Sequence, residues 1–81
     1  MRIRTPNDLG AVVRERRRQL GLGQAELAAR IGVSRQWIVG IESGRSRAEL
    51  GLVLKTLDTL GMRLEATTAV LASPAGPDID A

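Results

Sequence analysis

At 81 residues the chain has room for one domain and a small core, a size at which association with a second copy often adds stability. Apolar residues make up 43%, yet Trp37 is the sole aromatic, so the core must be aliphatic, which favours packed helices. There is no cysteine, no apolar run near the roughly 18 residues of a membrane span, and no apolar stretch behind the basic N-terminus. Disulfide scaffolds, membrane spans and secretory signals are therefore not expected, and cytoplasm, in association with the nucleoid, is the expected location. The net charge of +3 is unevenly placed: residues 1–47 hold ten arginines against four acids, whereas residues 48–81 hold Lys55 and Arg63 against five. That asymmetry points to a basic N-terminal surface for a polyanion and a different role for the C-terminal part.

In chain order, residues 1–4 form a flexible basic arm carrying Arg2 and Arg4. Thr5 then caps a helix with Pro6 at its first position and Asp8 near the exposed amides. This first helix is expected over about 6–20, with Leu9, Val13, Arg16/Arg17 and Leu20 on one stripe and Gly21 as its stop. A second helix starts near Gln24 and buries Ala25, Leu27, Ala28 and Ile31. Gly32 makes the turn, Val33 plugs it, and Ser34 caps a third helix that points Ile38 and Ile41 inward and ends at Ser43-Gly44. Ser46 and Glu49 have the spacing of a capping box for a fourth helix. Its stripe is Leu50, Val53, Leu54, Leu57 and Leu60, with Leu52 off the stripe and available to a second subunit.

Beyond Gly61 the period falls to two: Met62, Leu64 and Ala66 alternate with Arg63, Glu65 and Thr67. This is the pattern of a half-buried strand, expected at about 62–68. One strand has nothing in its own chain to pair with, so either it pairs with its equivalent in a second copy or it lies as a tail on the domain. On this division residues 5–69 are the folded domain, and 70–81, rich in Pro, Gly and Asp from Ser73 onward, form a disordered tail.

Residues 23–44 carry the chemistry. With Ile38 and Ile41 buried, Arg35, Gln36 and Val39 lie on or beside the exposed face of the third helix, near its N-terminal half. A helix in the DNA major groove presents that part to base edges. Arginine can bind guanine bidentately, glutamine adenine, and valine the thymine methyl, whereas Gly40 leaves a bare spot. Gln24, Ser34, Ser43, Arg45 and Arg47 are candidates for phosphate, which positions a protein without reading sequence. Arg45 and Arg47 also fit a simply solvated loop. Trp37 either packs between the second and third helices or touches the sugar-phosphate backbone. No arrangement of acids with a nucleophile and no phosphate-cradling glycine loop is present, so no catalytic residue, metal site or cofactor is expected.

From about Leu9 to Ala66 the chain resembles the Xre/Cro/C1 family of helix-turn-helix repressors. The stretch LGLGQAELAARIGVSRQWIVGIESG carries the resemblance through its Q-x-E-L-A opening, Gly32, Ser34, the Ile38/Ile41 pair and the Glu42-x-Gly44 ending. The continuation LGLVLKTLDTLGMRLEA is similar to HipB-type antitoxins. The resemblance implies a mainly α, four-to-five-helix, lambda-repressor-like domain with a short C-terminal β-strand pairing across a dimer. It also implies phosphate contacts at Gln24 and Ser43, base contacts at Arg35, Gln36 and Val39, and a structural ion pair between Arg17 and Glu42. Gly23, where family members usually carry Thr or Ser, and Trp37, where small polar residues are frequent, depart from the pattern. The function implied is a homodimeric repressor on an inverted-repeat DNA operator, acting as the antitoxin of a HipA-like kinase toxin. A stand-alone regulator and a protein-interaction module without DNA binding are the alternatives. Dimerisation is expected through Leu52, Met62, Leu64 and Ala66.

Overall fold

A computed structural model describes residues 2–68 and contains four helices: α1 (Pro6–Gln19), α2 (Gln24–Ile31), α3 (Arg35–Glu42) and α4 (Leu50–Thr59). The expected tail from residue 70 lies outside the described residues. Local sequence explains the starts of α1 and α3. Thr5 Oγ1 accepts from the Asp8 amide at 3.0 Å, and Asp8 Oδ2 accepts in return from the amides of Thr5 and Arg4. Asp8 thus closes a capping box in addition to offsetting the helix dipole. Ser34 Oγ accepts from the Trp37 amide at 3.1 Å. At α2 the cap residue has no side chain to offer, and the Glu26 carboxylate accepts from the Gly23 amide at 3.1 Å.

All four helices end at a glycine with positive φ (Gly21, Gly32, Gly44, Gly61) that reverses the chain, and the next amide bonds back to the helix: Leu22 to Arg17 O, Val33 to Ala28 O, Arg45 to Gly40 O, Met62 to Leu57 O. This is the Schellman pattern, which lays the residue after the glycine against the last turn. It corrects one expectation. Leu22, swung inward by the reversal, is buried, and Leu20 is left exposed.

The core is aliphatic as expected: Val13, Leu22, Leu27, Ala28, Ile31, Ile38, Ile41, Val53, Leu57 and Leu60, with Trp37 half-buried against it. Ala25 is exposed, because the α2 face toward the core is set by Leu27, Ala28 and Ile31 alone. A close approach of α1 to the end of α3 depends on Gly10. A Cβ there would sit 2.8 Å from the Glu42 carbonyl oxygen, closer than packed atoms tolerate. Where the two helices meet, the Arg17–Glu42 pair is buried, with Nε–Oε2 at 2.6 Å and Nη2–Oε1 at 3.0 Å. Arg17 Nη1 also donates to the Leu22 carbonyl at 2.9 Å, so the turn after α1 is fastened to the same guanidinium. The hydrogen bond to Glu42 is the main reason the Arg17 pKa is raised; desolvation works against it and the charge attraction adds to it.

Two expectations for the C-terminal part are corrected. The Ser46–Glu49 box does not form. Glu49 itself occupies the cap position with no side-chain hydrogen bond, because the reversal at Gly44 and the packing of Ala48 on the core keep residues 47–49 out of the helix. The period of α4 is helical as read, but its buried face is turned toward Val53, Thr56, Leu57 and Leu60. Thr56 is accommodated there because its hydroxyl donates to the Leu52 carbonyl at 2.7 Å. Leu52, expected to be free, is half-buried against the core, whereas Leu50 (65% exposed) and Leu54 (43%) face outward. The strand expected at 62–68 is one that pairs with a second copy, and in the single chain described these residues make no strand pairing. Met62 is half-buried against the core; Leu64 and Ala66 are exposed. Ile3 of the N-terminal arm shares a shallow depression with Met62, Arg63 and Leu64, so the arm lies beside this segment.

Candidate nucleic-acid interface

The sharp turn at Gly32 (φ 91°) brings α2 and α3 together, and amides of Gly32 and Val33 both bond to the Ala28 carbonyl. A left-handed φ of this kind strains any residue with a Cβ, which is why glycine stands there. Val33 is half-buried in the turn, and Ile38 and Ile41 anchor α3 from beneath. With those two inward, Arg35 and Gln36 are exposed at the N-terminal end of α3, and Val39 is half-buried beside them. Of the two alternatives for Trp37, the structure takes packing on the core.

Arg35 is not loose. Its Nη2 donates to Gln24 Oε1 at 3.1 Å, and Gln24 Nε2 donates to Glu42 Oε1 at 3.2 Å. The result is a continuous relay, Arg17–Glu42–Gln24–Arg35, running from the buried ion pair to the exposed face. The sequence marks all four residues and the resemblance joins Arg17 to Glu42, but nothing in their spacing states that Gln24 can reach both Glu42 and Arg35. Gln24, half-buried at the first position of α2, therefore has both ends of its amide engaged within the protein. Another tie went unread: Arg16 Nε donates to the Leu60 carbonyl at 2.9 Å, fastening α1 to the end of α4. Its only sequence signal is the position of Arg16 on the inner stripe of α1.

The remaining candidates frame the same face. Ser34 and Ser43 are exposed at the two ends of α3; the Ser43 hydroxyl donates to the Val39 carbonyl and must turn away to meet a phosphate. Arg45 and Arg47 are exposed and line, with Gly40, Ser43, Gly44 and Ser46, an open basic concavity at the exit of α3. Met62, Leu64 and Ala66 lie in the segment after α4, away from this group in sequence, and Leu52 is on α4 itself. The geometry offers a protruding helix end with one arginine and one glutamine forward, and cations and hydroxyls around it. Such a surface can donate to base edges and bind phosphates.

Comparison with known proteins agrees with this geometry. A family model described as a helix-turn-helix domain matches residues 8–71. The HTH-type transcriptional regulator y4mF of Sinorhizobium fredii (strain NBRC 101917 / NGR234), itself uncharacterised, is 45% identical over 64 residues, covering 79% of this chain and 84% of that one. Among solved structures, a chain of the HipB-O4 20mer complex superposes with a TM-score of 0.77 at 27% identity, covering 86% of this chain and 99% of its own. A chain of the HipA-HipB-O2-O3 complex superposes with a TM-score of 0.78 at 26% identity, with the same coverage. No helix among the described residues is long and apolar enough to cross a membrane. With a four-helix fold, an exposed α3 held from behind by α1 and α2, and relatives that share it, the chain belongs to the helix-turn-helix domain family, as an Xre-type, HipB-like transcriptional regulator.

Proposed function

We propose that the chain is a homodimeric repressor that binds an inverted-repeat operator with α3 in the major groove, and that it serves as the antitoxin of a HipA-like kinase. The observation that carries the DNA reading is the relay from the buried Arg17–Glu42 pair through Gln24 to Arg35. It spends a buried charge pair on holding one exposed arginine, which a general-purpose basic surface does not require. Arg35, Gln36 and Val39 then read bases, while Ser34, Ser43, Arg45 and Arg47 take phosphates with their side chains and Gln24 takes one through its backbone amide at the start of α2. Two copies related by a two-fold place their α3 helices in successive major grooves, about 34 Å apart. The protein is not an enzyme; it works on DNA in the cytoplasm.

The dimer reading is supported by the apolar side chains left without a partner. Leu64 and Ala66 are exposed on the segment with strand periodicity, and Met62 lies between that segment and the core. Leu50 and Leu54 on α4 are also exposed; Leu52 contributes only what its packing on the core leaves accessible. Pairing of residues 62–68 with their equivalents would satisfy backbone groups that one chain leaves open. The antitoxin reading is supported by the likeness to HipB, one structure of which contains HipA. The acidic C-terminal part, outside the recognition helix, is the surface assigned to that partner. A stand-alone regulator remains the second reading, favoured by the likeness to y4mF, which is described only as a regulator.

Three outcomes are expected. Arg35→Ala weakens binding to the operator by about 1–3 kcal/mol and relaxes preference at one base pair. Gel-shift titration against operator and random duplexes checks this, and an equal loss on both would mean that Arg35 meets only phosphate. In sedimentation equilibrium the full chain behaves as a dimer and a chain ending at Gly61 as a weaker dimer or monomer. Undiminished dimerisation of the shortened chain would contradict strand pairing. Co-expression with a HipA-like kinase encoded beside it yields a complex on size exclusion, and its repeated absence would leave the stand-alone regulator.

A further inference from the structure

Gly40 lies inside α3, where glycine is less favourable than alanine, and it has neither a positive φ nor a turn to make. The space its side chain would fill is already taken. A Cβ at position 40 would lie 2.6 Å from Arg45 Cζ and 2.7 Å from both Nε and Nη2. The helix-ending pattern explains how Arg45 comes to be there. Its amide bonds to the Gly40 carbonyl at 2.9 Å, and in that pattern the residue after the glycine folds back over the last helical turn. At the ends of α1 and α4 the equivalent residues, Leu22 and Met62, fold back onto the core. At the end of α3 the equivalent is a guanidinium, and it occupies the space beside the bare backbone of Gly40.

Position 40 is one helical turn beyond Gln36, on the side of α3 facing away from Ile38 and Ile41. Arg45 is exposed and makes no ion pair among the described residues. Its planar fork of donors is therefore displayed next to Gln36, in the position a long side chain at 40 would otherwise command. Lysine could not reproduce that fork.

We propose that Gly40 is the seat of the Arg45 guanidinium, so that Arg45 reads a base pair as part of the α3 face and position 40 determines specificity through it. The proposal rests on the DNA-binding reading and changes it in one respect: Arg45, counted there among the phosphate ligands, becomes a base-reading group that does not belong to the helix. Alanine at position 40 evicts the guanidinium by occupying its space, while favouring the helix itself.

The test uses a duplex selected by the wild-type full chain from a random-sequence pool, together with an unselected random duplex. Affinities are measured by fluorescence anisotropy for wild type, Gly40→Ala, Arg45→Ala, Arg45→Lys and the Gly40→Ala/Arg45→Ala double variant, with thermal melts alongside. Gly40→Ala and Arg45→Ala are each expected to lose about tenfold on the selected duplex. The double variant should lose no more than Arg45→Ala, because both changes remove the same contact. Gly40→Ala should melt no lower than wild type, and Arg45→Lys should not restore binding. Losses that multiply in the double variant, an unaffected Gly40→Ala, or equal losses on both duplexes would overturn the seat. A wild-type chain that selects nothing from the pool would overturn the DNA-binding reading beneath it.

Discussion

The buried pair between Arg17 and Glu42 is the constraint on which the rest of the arrangement depends. It joins the last turn of α1 to the last residue of α3, two elements that share no turn, and through the Leu22 carbonyl it also fixes the exit of α1. Taking two charges out of water is costly, and the attraction between them offsets that cost only when the remaining donors and acceptors are satisfied. Here they are: no buried side-chain polar atom among the described residues lacks a partner. The asymmetry matters more than the net worth of the pair, because removing one member strands a buried charge at a cost of about 3–5 kcal/mol. In a domain whose total stability is on the order of 5–15 kcal/mol, that is enough to hold α3 in one orientation.

Gln24 converts this internal constraint into an external one. By donating to Glu42 and accepting from Arg35, it gives an exposed side chain a position referenced to the core. A long arginine free in solvent would lose considerable rotamer freedom on binding; one already restrained loses less. The small residues serve the same end by letting backbones come close. Gly10 brings α1 against the carbonyls that end α3, and at Gly44 a Cβ would collide with Asn7 at the start of α1. Both contacts converge on the end of α3 where Glu42 sits.

Most of the α1–α3 framework was legible in the chain because its signals are local. Thr5-Pro6, Gly32-Val33-Ser34 and the Ile38/Ile41 spacing each act within one or two turns of where they are written. The errors arose where a local signal met a tertiary demand. Ser46 and Glu49 have the spacing of a capping box, but the packing of Ala48 on the core keeps that turn from closing. Leu22 takes the buried place expected of Leu20 because the chain folds back at Gly21 and does not merely stop there. On α4 the period was right and the phase wrong: a hydroxyl that bonds its own backbone let Thr56 compete with leucines for the interior. In the site, identities were legible and connections were not. Gln24 has the position of a phosphate ligand in the sequence, yet in the folded chain its side chain links Glu42 and Arg35, and no spacing rule reports a contact across two helices.

The central claim is that the buried pair sets the precision of recognition as well as stability. It is tested most directly with Glu42→Gln, which keeps the shape of the side chain and removes its charge. The quantity to measure is the ratio of affinities for a selected operator and for a random duplex, on protein shown by its melt to be folded at the assay temperature. The account predicts a lower melting temperature and a reduced ratio, with operator affinity falling further than random-duplex affinity. A ratio equal to that of wild type would contradict it, and would mean that α3 is oriented by its aliphatic packing alone.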